Sequence, residues 1–121
     1  MTRRITIRLP WPPTALHPGV KRNIWARSRT ADEYQKKCGW LTWNRFADAP
    51  CVNATLTFHP PNGEWTEADM VAAFAPGLKG VAFAMRMEPE AFFPECKVGV
   101  VVAGGHVIVE IEMEQPVMKD A

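Results

Sequence analysis

Apolar and polar residues alternate with period two in Ile5-Thr-Ile-Arg-Leu, the pattern of a strand with one buried face. Pro10-Trp-Pro-Pro ends it, because proline donates no ladder N–H and fixes its own φ. After a loop through His17-Pro-Gly, the stretch from Thr30 to Ala47 holds neither proline nor a β-branched run. Tyr34, Cys38 and Leu41 recur there at spacings of four and three, which predicts an amphipathic helix, led in by the basic segment Lys21-Arg-Asn-Ile-Trp-Ala-Arg-Ser-Arg and broken by Asp48-Ala-Pro. Val52, Ala54, Leu56 and Phe58 alternate with polar neighbours and predict a second strand, ending at Pro60-Pro-Asn-Gly. A second helix is expected from Glu67 to Met85, with Met70, Phe74, Leu78, Val81 and Met85 as its apolar stripe. Pro76 inside that pattern predicts a kink or local break, and Gly77 and Gly80 weaken it further. The β-branched runs Lys97 to Val102 and His106 to Met113 flank Ala103-Gly-Gly, a hairpin signal, and the polar tail 114–121 is expected to fray. The order β-α-β-α-β-β predicts one α/β (α+β) domain over residues 1–121, with two helices packed on a small mixed sheet.

Composition bounds the partners. The 121 residues carry 14 basic and 13 acidic side chains, a net charge of +1 that by itself argues against a phosphate-binding surface. Split after Arg45, the chain reads differently: ten Lys/Arg against two Asp/Glu before, four against eleven after. Such asymmetry fits a basic binding face, or two ends that fold together and partly neutralise each other. No apolar run approaches the roughly 20 residues of a membrane span, and the basic start lacks a signal-peptide core, so a cytoplasmic protein is expected. Cys38, Cys51 and Cys96 are widely spaced without a C-x-x-C pair, which reads as buried free thiols. His17, His59 and His106 lack the local pairing of a metal motif.

Three stretches resemble the RusA family of phage and prophage Holliday-junction resolvases. Ile7-Arg-Leu-Pro-Trp-Pro-Pro is similar to the family's opening strand and turn, and the run from Leu16 to Tyr34 to its basic, Trp-containing lead into the first helix. Phe58-His-Pro-Pro, followed by Asp69-Met-Val-Ala-Ala-Phe-Ala-Pro-Gly-Leu-Lys-Gly, resembles the strand end and the helix Asn-Leu-x-x-x-x-(Lys)-Pro-x-Leu-Asp-Gly. The resemblance covers about residues 5 to 102. It implies a homodimeric, Mg²⁺-dependent endonuclease that cuts four-way DNA junctions, with clustered carboxylates holding the cations that activate water.

The acidic motif departs from that pattern. With Pro76, Leu78 and Gly80 as anchors, the family's Asp-x-Asp-Asn falls on Thr66-Glu67-Ala68-Asp69, so both metal-binding aspartates are replaced. The basic run before the motif becomes Asn62-Gly63-Glu64-Trp65, and the post-helix aspartate has only Glu88, Glu90 and Glu95 as stand-ins. Glu67 and Asp69 are each displaced by one residue, about 100° around a helix, which turns them from the family's metal position. The same residues fit a capping box, in which the Thr66 hydroxyl accepts from the Asp69 amide and the Asp69 carboxylate reaches back to the cap. The leading expectation is therefore a RusA-like DNA-binding protein with degraded catalytic acids. Two alternatives stay open: an active resolvase whose Mg²⁺ ligands are Glu67, Asp69 and one of Glu88 or Glu90, and a repurposed interaction or inhibitor protein whose acidic half engages a basic protein. Lys21, Arg22, Arg27, Arg29, Lys36 and Lys37 are the candidate phosphate contacts. Trp11, Trp25, Trp40 and Trp43 lie among them, either stacking on unpaired bases or, as short chains favour, buried in the core or a dimer contact.

Overall fold

In a computed structural model, which describes residues 2–20, 23–45, 51–92 and 94–114, four strands and two helices form an α+β sandwich. The elements run β1 (Thr2–Pro10), α1 (Ile24–Trp43), β2 (Cys51–His59), α2 (Glu67–Ala84), β3 (Glu95–Val98) and β4 (His106–Glu114), with short 3₁₀ turns at Thr14–Leu16 and Pro89–Ala91. The sheet order is β1-β4-β2-β3. β4 pairs antiparallel with β1 and with β2, and β3 lies parallel to β2 on the far edge.

The predicted hairpin is therefore not formed. β4 alternates Val107, Val109, Ile111 and Met113, all buried, and takes the central position between β1 and β2. The chain leaving β3 stays beside the end of β2, where the Gly99 amide donates to the Phe58 carbonyl and the Val102 amide to the Pro60 carbonyl. It then crosses to the other side of β2 through a turn in which Gly104 and Gly105 have φ of 79° and 66°. Val100 and Val101 are exposed in this crossing rather than paired as strand.

One sheet face carries Ile5, Ile7, Leu9, Leu56 and Phe58, buried with the β4 residues against both helices. Phe58 meets Phe74 of α2 edge-on at 5.6 Å between ring centroids, and Phe74 meets Tyr34 of α1 at 6.2 Å. Each such ring, fully buried, contributes roughly 1.5–3 kcal/mol. Met70, Phe74, Val81 and Met85 of the predicted stripe are buried, and Leu78 packs against them half-buried. α2 runs unbroken through Pro76.

α1 begins earlier than its apolar spacing suggests, because the Asn23 side chain caps it by accepting from the Trp25 amide at 2.8 Å. Its last helical residue is Trp43, and the expected extension to Ala47 falls partly on residues outside those described. The two helices run side by side in the same direction: Ala31 lies by Ala72 and Ala75, and Gly39 by Gly80.

The opposite sheet face is polar. Arg4 of β1 lies 3.8 Å from Glu110 and 3.9 Å from Glu112 of β4, so a cation of the basic half meets acids of the acidic half. The charge asymmetry along the sequence is thus partly cancelled by β1–β4 pairing.

Candidate functional site

The acidic positions sit where β2 gives way to α2. Thr66 is extended, at φ −85° and ψ 159°, and its hydroxyl accepts from the Asp69 amide at 3.1 Å, so the residue in the first aspartate's place is a helix cap. The reciprocal half of the expected capping box is replaced by a tertiary contact: Asp69 Oδ2 lies 3.6 Å from His17 Nε2. His17 Nδ1 accepts from the Gly19 amide at 2.9 Å, which leaves the ring proton on Nε2, the nitrogen that faces the carboxylate. The His17 ring packs at 4.3 Å on Trp65, which stands edge-on to Trp11 at 5.2 Å, and Trp11 in turn to Phe58 at 6.3 Å. Asp69 is thereby tied through His17 and two indoles to the end of the core.

Glu67 is exposed in the first turn of α2, and its charge falls on Cys96, whose thiol is raised first by burial and then by that carboxylate. Glu88 and Glu90 are exposed around the 3₁₀ turn after α2, and Glu95 opens β3 on the polar sheet face. Among the described residues no group of three or more His, Cys, Asp or Glu is placed to hold a metal ion. Glu67, Asp69, Glu88 and Glu90 are not part of any such group.

The basic positions diverge as well. Lys21 and Arg22 lie outside the described residues. Arg27 is half-buried, its Nη2 3.5 Å from the Leu16 carbonyl oxygen. Arg29 is exposed, and Lys36 lines a groove toward α2. Lys37 leaves on the other flank of α1, beside Pro10, Trp11 and Pro13. Arg29 and Lys36 are seven residues apart, close to two turns, and share the outer face.

The core half of the expectation fails for three tryptophans: Trp25 is 80%, Trp40 64% and Trp43 53% exposed on this single chain, while Trp11, like Trp65, packs against the core. Their placement follows from spacing: Trp25 and Trp43 each lie nine residues from the buried Tyr34, two and a half turns at 100° per residue, which puts them on the opposite side of α1. No comparable spacing links His17 to Asp69, and sequence reading missed that contact.

Two further clusters complete the titratable groups. His59 and His106 face each other across β2 and β4, with ring centroids 4.8 Å apart, and His59 Nδ1 donates to the Val100 carbonyl at 2.9 Å. Cys38 is fully buried and its thiol is pushed up to about 12 by that burial, so it is no nucleophile. The Tyr34 hydroxyl, also raised by burial, donates to the Pro10 carbonyl at 2.6 Å and fastens α1 to the end of β1.

No family model matches the chain, and no curated protein matches it. What the fold itself defines is a two-layer α+β domain with one polar sheet face and an aromatic helical face. No helix is long and apolar enough to cross a membrane among the described residues.

Proposed function

We propose that this chain is a RusA-like DNA-binding protein of phage or prophage origin that engages branched or duplex DNA, as a homodimer, without cutting it. The observation that carries the reading is the arrangement at the start of α2: Thr66 serves as a cap, and Asp69 is turned to His17. Arg29 and Lys36 on the outer face of α1 supply charge for phosphates, with the exposed Trp25, one turn before Arg29, as a flat surface for unpaired bases.

The test is a labelled four-way junction incubated with the purified protein and Mg²⁺ or Mn²⁺. Salt-dependent binding without incision is expected. Clean symmetric incision that disappears in Glu67→Gln or Asp69→Asn would overturn the proposal and establish an active resolvase.

A further inference from the structure

Between the C-terminal halves of α1 and α2 runs a groove of about 490 Å³, walled by Trp40, Trp43 and Phe83 and floored by Gly39, Gly80 and Ala84. Its three aromatic walls are more than half exposed, at 64, 53 and 54%, an apolar surface that a monomeric domain seldom leaves open without a use.

The charge around the groove is one-sided. Residues 34–45 of the chain contain Lys36 and Arg45 besides Lys37, which leaves on the other flank, residues 70–87 contain Lys79 and Arg86, and neither stretch contains an acid. Lys36 lines the groove itself, and Arg86 lies over the Trp43 ring at 5.9 Å. Lys79 stands one turn before Phe83 on the exposed side of α2. Lys36 and Lys79 are in no ion pair among the described residues.

We infer that this groove binds an amphipathic helix of a partner protein whose apolar stripe is flanked by Asp and Glu. Two parallel helices with a glycine floor form a linear trough, the shape into which a third helix packs its i, i+3, i+4 and i+7 side chains. The lining is mostly apolar, with Gln35 and Lys36 on the α1 side, which suits an aliphatic or aromatic stripe, while a phosphate backbone needs polar donors along the floor. The cations stand at the rim, where a helix's flanking carboxylates come to rest. The charge sign is the reverse of the interaction expected from the acidic half of the sequence.

The experiment uses a displayed library of 18-residue helices with a fixed Leu/Phe stripe and flanks randomised among Glu, Gln and Lys, selected on the whole chain. Enrichment of Glu flanks is expected, with at least tenfold weaker binding of the selected peptides to Trp40→Ala and Phe83→Ala, and to Lys36→Glu/Lys79→Glu. These side chains are exposed, so thermal unfolding of each variant checks that the fold is kept. Absence of enrichment, enrichment of Lys flanks, or binding unchanged in the groove variants would overturn the inference. So would displacement of the peptide by a dT oligonucleotide through Trp40, or concentration-dependent self-association lost in Phe83→Ala, since either assigns the groove to another occupant. Junction binding is measured in parallel. Its failure bears on the DNA proposal alone, because the peptide arm does not depend on it.

Discussion

Gly80 of α2 meets Gly39 of α1 backbone to backbone. A Cβ built on Gly80 would lie 2.9 Å from the Gly39 amide nitrogen and closer still to the Gln35 carbonyl oxygen. Neither neighbour is a flexible side-chain end, so Gly80→Ala forces the helices apart. The expected loss is about 1–3 kcal/mol, the usual range for overpacking. Gly63, which has open space around it, is the control: Gly63→Ala stays within about 0.5 kcal/mol. Urea unfolding of the two variants checks the difference.

The cap at the start of α2 gives a smaller and more specific effect. Thr66→Ala removes the acceptor for the Asp69 amide and costs about 1 kcal/mol, while Thr66→Asp restores an acceptor and costs little. Equal losses in both variants, measured by urea unfolding, would mean that the hydroxyl is not what starts the helix.

His106 makes the pH dependence calculable in sign. Burial, then the Arg8 and His59 charges beside it, hold its imidazole below the ordinary value near 6.5. Between that lowered value and 6.5 the unfolded chain binds the extra proton and the folded chain does not, so stability rises with pH across this window and is lost on acidification. In His106→Asn the slope of stability between pH 5 and 7 is expected to flatten. An unchanged slope in denaturant titrations would remove His106 as its source.

Thiol chemistry separates the cysteines. Cys38 is fully buried with its pKa pushed up to about 12, so iodoacetamide modifies it only on unfolding, whereas half-buried Cys96 labels slowly in the native state. Peptide mass mapping reads the two independently. Native labelling of Cys38 at the rate of Cys96 would contradict the packing of Tyr34 and Phe74 around α1.

Much of this architecture is legible in local pattern. The alternation in β1, β2 and β4 and the stripe in α2 mark the buried faces because periodicity reports burial directly. The hairpin misleads because Val100-Val101-Val102 has strand composition while its backbone partners belong to the end of β2, a tertiary fact. Asn23 hides as a cap within a basic segment, so the start of α1 is missed. At the acidic site, Thr66 as cap can be read from its spacing to Asp69. The diversion of Asp69 cannot, because His17 is 52 positions away and only folding brings the two together.

DNA binding, if it uses the outer face of α1, has a residue-level signature. Arg29 and Lys36 share that face, while Lys37 leaves about 100° further round the helix, by Pro10 and Trp11, so a duplex laid on the first pair does not reach the third. Each phosphate contact contributes about 0.9 to the slope of log K against log salt concentration. Arg29→Ala and Lys36→Ala are therefore each expected to lower that slope by about one and to weaken binding to all junction sequences alike, since phosphate contacts carry no sequence information. Lys37→Ala should leave the slope unchanged. Fluorescence anisotropy with a labelled junction across 50–200 mM salt makes the measurement. A slope that falls for Lys37→Ala and not for Arg29→Ala would move the DNA to the Pro10 flank and leave the outer face of α1 to other partners.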